Sequence, residues 1–387
     1  NTTENVVTIN GVRYGRHTQK VLNDALIDGT AVSEALGVAA SVNSGGGSFS
    51  GAFDAGVSYN KMVNTVGVDT DSVWWDALPS NDTGYRQLAW SGETQVTGGL
   101  GIGVARGDKT AAAAGATVAL ADIENNITST FDHGYLDAMK DVDIRAYASL
   151  VQVNTALAVQ VSKGKSGSYA LNGSFIKADV LNNITASADH SLIDLESDGQ
   201  FTLLSQDVNR SEMMDYFNFG TVTSGLGVPV EQGDFDGKTE LGDATLRTQP
   251  STDGADANTK KVSDFLDGAN MTQVSVVVGV AAAKADGSTG AAANGAVIVN
   301  DIDNRFKATS DGLKVRHGVN VNQKALSGVT SVNVAVGAAG TDGQFSLAGS
   351  VIVGKTKQIT EVEAHNGVFE DNTNRQFYAG NSALTVD

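Results

Sequence analysis

The chain has 387 residues and a formal net charge of −18, and it contains no cysteine. The missing cysteines exclude disulfides, thiolate metal sites and cysteine nucleophiles, and the acidic charge argues against nucleic acid and anionic lipid as partners. The 45 glycines follow no three-residue period, which excludes collagen, and a hydrophobic content of 41% argues against disorder.

Neither a membrane span nor a leader peptide is visible in the sequence. No run of about 18 apolar residues occurs, so we expect no membrane insertion of this segment. The first residue is Asn1 rather than methionine. We therefore interpret residues 1–387 as a mature or excised segment of a longer protein, from which a signal peptide could have been removed.

Near the start, VLNDALIDGTAVSEAL (21–36) carries the clearest helical periodicity of the chain. Elsewhere, alternating apolar runs end in clusters of Gly, Ser, Asp and Lys and are followed by small residues. Alternation predicts strands, and the polar clusters predict turns.

A short phrase that begins with glycine recurs along the chain about every 58 residues, with one doubled interval. It reads GATVALADIENNIT, GSFIKADVLNNIT, GAVIVNDIDN and GSVIVGKTKQIT in its four clearest copies. The copies start at Gly51 (a weaker one), Gly115, Gly173, Gly295 and Gly349. Most are followed by an asparagine, namely Asn60, Asn125, Asn182 and Asn304, whereas the last copy has Lys357 and Gln358 in this region.

Small residues at equivalent positions of a repeat favour stacking of one copy on the next, as in a parallel β-solenoid. With coils of roughly 20 residues, each repeat would contain three coils, and the whole chain would form a stiff rod. Tandem β-sandwiches are the alternative, but they usually need a bulky aromatic core, and only 6% of this chain is aromatic.

Two segments interrupt the repeat, at 66–91 and at 209–270. The first contains every tryptophan of the chain, and the second is acidic. Since insertions in repeat proteins gather on one face, which is often the binding face, we expect both to leave the solenoid on the same side.

The first interruption contains four aromatic residues in a short stretch: Trp74, Trp75, Tyr85 and Trp90. They could form a platform that binds a receptor protein or a sugar ring. The alternative is that they pack the excursion onto the solenoid. This interpretation is favoured because an excursion needs a small core of its own.

Arg106, Gly107 and Asp108 spell an integrin-binding tripeptide in a predicted turn. The equivalent turns in other copies are also polar and contain glycine, so a turn without a binding role is the favoured interpretation.

The second interruption contains DFDGKTELGD, which places Asp234, Asp236, Glu240 and Asp243 around a glycine. Carboxylates beside a glycine turn suit Ca²⁺. The spacing departs from the twelve-residue calcium loop, which favours a solvated acidic turn. We expect no other cofactor.

The phrases GAVIVNDIDNRFKA and GATVALADIENNITST resemble the repeats of large bacterial surface adhesins, the filamentous-haemagglutinin-like and autotransporter passenger proteins of type V secretion. The resemblance covers about 35–60, 100–205 and 272–365. It implies a right-handed parallel β-helix, secretion to the bacterial cell surface, and a role in adhesion or aggregation.

We therefore predict an adhesin segment that binds a host-cell receptor protein or glycan, or joins neighbouring cells by self-association. One alternative is a purely structural stalk of a larger adhesin. Another is a β-helix carbohydrate-active enzyme, but no paired Asp-Asp or Asn-x-Asp constellation accompanies the isolated histidines His133 and His317, so we predict no enzymatic activity.

Overall fold

The alternating runs form strands that assemble into parallel sheets, which confirms the predicted all-β parallel solenoid. The computed structural model describes residues 1–11, 14–17, 21–44, 49–77, 84–210, 213, 270–287 and 289–386. In chain order, its strands are β1 (Thr2–Gly11), β2 (Tyr14–His17), β3 (Val21–Asn43), β4 (Phe49–Asp71), β5 (Trp74–Ala77), β6 (Gly84–Gly107), β7 (Thr110–Asp132), β8 (Tyr135–Gly164), β9 (Gly167–Asp189), β10 (Leu192–Asp207), β11 (Met271–Ala285), β12 (Thr289–Asp311), β13 (Lys314–Arg316), β14 (Asn320–Thr341), β15 (Phe345–His365), β16 (Val368–Glu370) and β17 (Asn374–Val386).

Sheet A has six strands in the order β1-β4-β7-β9-β12-β15. Sheet B has 11 strands, and its first long strands follow the order β3-β6-β8. Both β10 and β11 then pair with β8 on one side and with β14 on the other. The last long strand of sheet B, β17, pairs with β14.

Each coil consists of a long strand in sheet A, a short strand, and a long strand in sheet B. The short strands β2, β5, β13 and β16, with the first residues of β8 and β10, form what we call the base edge. On the opposite side, the turns at 108–109, 165–166 and 342–344 join sheet B to sheet A and form the turn edge.

One coil therefore takes one whole repeat, and the expectation of three short coils per repeat is wrong. Asn64 and Asn125 are neighbours in successive coils although they are 61 residues apart, and Asn125 and Asn182 are neighbours 57 residues apart. A 23-residue strand such as β12 extends about 75 Å, whereas six stacked strands span only about 24 Å. The described coils form a broad slab and not the expected rod.

Identical side chains lie over one another inside the slab. An asparagine ladder runs along sheet A, in which the amide Nδ2 of each residue donates to the Oδ1 of the next. The bonds run from Asn5 to Asn64 (2.7 Å), Asn64 to Asn125 (2.8 Å), Asn125 to Asn182 (2.7 Å) and Asn182 to Asn304 (2.6 Å). The last coil places Gln358 in register with Asn304.

The ladder corrects two details of the sequence alignment. Asn60 is not a member, because it lies in register with Ala121, and Asn64 takes its place. Gly295 does lie over Gly349, but Gly115 lies beside Asn172, one position away from Gly173. The glycine alignment failed because the ladder asparagine, which is buried and hydrogen-bonded, fixes the register more strongly than a residue without a side chain.

The interior narrows from the base edge to the turn edge. Bulky side chains such as Phe131, Phe201 and Phe306 fill the wide part, and alanine clusters fill the narrow part. Near the turn edge, a Cβ added at Gly103 would approach the side chain of Gln160 to 2.0 Å. Glycine there leaves room for this glutamine, whose Nε2 donates to Asp54 Oδ1 at 2.6 Å.

The predicted excursion at 66–91 is wrong for the described part of that segment. Residues 66–71 complete β4, 74–77 form β5 at the base edge, and 84–91 begin β6. All three stretches pair in register with β7 or β8. The aromatic residues do not leave the solenoid because their alternation with other residues fits the strands of one ordinary coil.

The second interruption divides a strand of sheet B. β10 and β11 lie end to end along β8, and Val208 N–H donates to Ala148 O while Leu150 N–H donates to Asn270 O. Asn270 Nδ2 also donates to Asp207 O at 3.1 Å and closes the gap between the two strands. Residues 214–269, with the predicted acidic turn, lie outside the described residues.

The ladder predicts a large difference between two adjacent asparagines. Asn125 is fully buried, whereas Asn126 faces solvent. We expect Asn125→Ala to lower the free energy of unfolding by about 2–4 kcal/mol, because several buried polar atoms lose a partner. Asn126→Ala, the control, should change it by less than about 0.5 kcal/mol. Urea unfolding followed by circular dichroism measures both, and equal effects would contradict the ladder.

Candidate functional site

The outer face of sheet B carries an apolar surface near the turn edge, built from the outward positions of β3, β6, β8, β11 and β14. Backbone register aligns these positions into rows that cross all five strands. The aliphatic residues are Val32, Val96, Val153, Val274 and Val332 in one row, Leu36, Leu100, Leu157, Val278 and Val336 in a second, Val38, Ile102, Val159 and Val280 in a third, and Val104 and Val161 in a fourth. A row of Glu34, Gly98, Thr155, Val276 and Val334 lies between the first and the second. We call this surface the aliphatic face.

The aliphatic face is open to solvent. Leu36 is 68% exposed, Val336 47% and Leu157 38%. Its rows cover on the order of 600 Å², estimated from strand spacing and rise per residue. An exposed apolar patch of this size is at the upper end for a monomer and usually marks an interaction surface.

A row of cations borders the aliphatic face at the turn edge. Arg106 lies in register with Lys163, and Lys163 lies in register with Lys284, and all three side chains are exposed. Like charges directly opposite one another destabilise a sheet. The row therefore concentrates positive charge at this margin of the aliphatic face.

Sheet A also exposes apolar residues in its turn-edge half. Phe53 is 68% exposed, Val57 62% and Leu347 57%. Its other half is polar and contains ion pairs between coils, such as Lys61 with Asp122 at 3.5 Å and Lys355 with Asp301 at 2.9 Å. Apolar surface is thus concentrated on both sides of the turn edge.

Towards the base edge, the outer face of sheet B is buried. Trp90, Tyr147, Leu204 and Leu326 form an apolar cluster there with Val208 and Met213, which follow β10. Arg210 pairs with Asp28 of β3 at 2.7 Å. The chain that leaves β10 therefore returns across this part of sheet B as far as the strand of the first coil.

The predicted aromatic platform is not assembled. Tyr85 points into the core, where its ring meets Phe131 edge to face, and Trp90 points to the outer cluster and donates from Nε1 to Ser149 Oγ at 3.0 Å. Trp75 is half-buried against the core, and Trp74 is 56% exposed at the base edge. The four side chains lie on different sides of the sheet, and two of them are fully buried.

The tripeptide Arg106-Gly107-Asp108 lies at the end of β6 and in the following turn, where the sequence placed it. Asp108 pairs with Lys165 of the next coil's turn at 3.4 Å. The proposed calcium ligands Asp234, Asp236, Glu240 and Asp243 lie outside the described residues.

Sequence reasoning missed the aliphatic face and the environment of the histidines. The face has a signal in runs such as VSVVVGVAAA (274–283), in which both alternating sets of positions are apolar or small. The histidines His133, His190 and His317 lie against carboxylates of neighbouring coils at the base edge. Those carboxylates are distant from the histidines in sequence, so the contacts can be recognised only once the number of residues per coil is known.

The carboxyl group of one acidic residue of β6 is fully buried between the sheets. Glu93 of β6 is fully buried, and it accepts hydrogen bonds from Ser91 Oγ and, at 3.0 Å, from Asn125 Nδ2 of the ladder. Burial raises the pKa of Glu93 to about 8, against the opposing effect of these two hydrogen bonds. The carboxyl is therefore mostly protonated at neutral pH.

Comparison with known proteins finds no matching family model, no similar curated protein and no similar solved structure. Within the described part of the chain, helices long and apolar enough to span a membrane are not found. The adhesin resemblance stays a prediction.

The raised pKa of Glu93 predicts that the free energy of unfolding falls as the pH rises. Its pKa is higher in the folded chain than its ordinary value of 4.5, so the folded state binds the proton more tightly. The resulting stabilisation is complete below pH 4.5 and is lost as the pH rises through about 8. Glu93→Gln should be less pH-dependent and, at pH 9, more stable than the wild type by about 2–4 kcal/mol.

Urea unfolding at pH 5, 7 and 9 measures this dependence. Glu124→Gln is the control, because Glu124 faces solvent from β7, and it should keep the wild-type profile. A wild-type stability that rises between pH 5 and pH 9, with Glu93→Gln following the same curve, would contradict the assignment.

Proposed function

We propose that this chain is an adhesive segment of a secreted or cell-surface bacterial protein, and that the aliphatic face is its contact surface. The exposed aliphatic rows carry the proposal, because a solvated face would be polar at these positions. The resemblance to type V adhesin repeats supports the same function. The slab holds the rows rigidly, so binding would cost little ordering of the chain.

The chemistry of the face favours a protein partner over a glycan. Sugar rings are usually bound against aromatic side chains, and the rows consist of valine, leucine and isoleucine. Two flat apolar sheets pack well about 10 Å apart, as in a β-sandwich. A second copy of this chain on a neighbouring cell is therefore the partner that we favour.

The stalk remains the second candidate, and the parallel stacking of whole coils supports it. A stalk segment would use the slab only to carry a binding domain elsewhere in a longer polypeptide. The two functions differ in whether this chain binds by itself.

A pair of charge substitutions tests the contact surface. Leu157→Lys with Val336→Lys places two charges in one row of the aliphatic face, separated by β11. We expect at least a tenfold loss of self-association and of binding to cells that display the chain, which corresponds to about 1.4 kcal/mol or more. Analytical ultracentrifugation and a cell-aggregation assay measure the two effects.

The matched control is Thr130→Lys with Thr309→Lys, two positions on the polar half of sheet A that are also separated by one strand. It should bind as the wild type does. A wild-type chain that neither self-associates nor binds cells would favour the stalk. Release of reducing sugars from a polysaccharide would favour the enzyme, and equal losses in both double variants would also contradict the proposal.

A further inference from the structure

Each strand of sheet A ends at a corner, where the chain turns into the base edge. The corner residue has a left-handed backbone conformation in five successive coils. These residues are Ser72 (φ 56°), His133 (φ 49°), His190 (φ 48°), Gly312 (φ 63°) and Asn366 (φ 52°). Because the coils are in register, the corner side chains form a column.

Two adjacent members of this column are histidines. The imidazoles of His133 and His190 stack with ring centroids 4.9 Å apart and planes inclined by 12°. Asp132 lies between them, with its Oδ1 3.0 Å from His133 Nδ1 and 3.3 Å from His190 Nδ1. Asp71 of the preceding coil adds a carboxylate oxygen 3.7 Å from His133 Nδ1.

The backbone does not require histidine at these corners. A left-handed conformation is uncommon for residues other than glycine and costs free energy, although asparagine, aspartate and histidine adopt it more often than the rest. Gly312 and Asn366 make the same corner in later coils, so the turn is available to residues that favour it. The corner conformation therefore permits histidine without requiring it, and the stacking of two imidazoles beside one carboxylate points to a role for their side chains.

One ligand atom from each of Asp132, His133 and His190 lies within 4.8 Å of the others. Imidazole nitrogens suit zinc and similar first-row transition metals, whereas Ca²⁺ and Mg²⁺ prefer oxygen alone. The two histidines are 58% and 55% exposed, so an ion in solution can reach both rings.

We propose that Asp132, His133 and His190 bind a Zn²⁺ ion, with Asp71 close enough to provide a fourth ligand. Two nitrogens and two carboxylate oxygens complete the tetrahedral set that zinc prefers. The ion would link adjacent coils at the base edge, remote from the aliphatic face. This inference does not depend on the proposed adhesive function.

Isothermal titration calorimetry of the full chain with ZnCl₂ tests the site. We expect saturable binding of Zn²⁺ that His190→Asn weakens at least tenfold, as removal of one ligand should do. Asparagine keeps the corner conformation, as Asn366 does, and circular dichroism confirms the fold of the variant. Mg²⁺ titrated in place of Zn²⁺ should give no binding that depends on His190.

His365→Asn is the control, because His365 lies at the base edge in the last coil and outside the cluster. It should change the zinc affinity less than twofold. Absence of zinc binding by the wild type would overturn the proposal, and so would wild-type affinity in the double variant His133→Asn with His190→Asn. A thermal melt gives a second readout, since Zn²⁺ should raise the melting temperature of the wild type and not of the double variant.

Discussion

The structure depends on the alignment of like side chains from one coil to the next. A parallel strand shifted by one residue would turn every interior side chain outwards. The asparagine ladder opposes such a shift with hydrogen bonds from Asn5 to Asn304, which are buried from Asn64 onwards. A second ladder on sheet B, in which Gln152 donates to Gln95 and Gln273 donates to Gln152, both at 2.7 Å, acts in the same way. Polar ladders inside an otherwise apolar slab therefore set the register, and the apolar residues contribute the burial.

Register also explains the surface. Once the inward positions are fixed, the outward positions of five strands must form rows, so a preference for valine or leucine at one position of the repeat becomes a continuous apolar strip. Repetition of one position in successive coils also produces the cation row of Arg106, Lys163 and Lys284 and the stacked histidines at the base edge. In a repeat protein of this kind, the residue type at one position of the repeat determines a whole row of side chains across the coils.

The sequence predicted the strands, their parallel stacking and the presence of an asparagine column, because alternation and repetition are visible directly. It did not predict the coil length, because the same residues recur at the same interval whether a repeat contains one coil or three. The helical periodicity at 21–36 was overridden by pairing of β3 along the whole of β6. The predicted grouping of Trp74 with Trp90 rested on their closeness in sequence, but strand alternation and the base edge separate them. The contact of His133 with His190 was invisible without the coil length.

One coil per repeat is the central claim, and a cysteine pair tests it most directly because the chain has no cysteine of its own. Asn126 and Asn183 lie side by side in adjacent strands of sheet A, with their Cα atoms about 5 Å apart, within the range that a disulfide bridges. Asn126→Cys with Asn183→Cys should form an intramolecular disulfide under mild oxidation. Asn126→Cys with Arg305→Cys, two strands apart, should not. If three coils separated successive repeats, the first pair would be about 14 Å apart and would stay reduced, which would contradict the account.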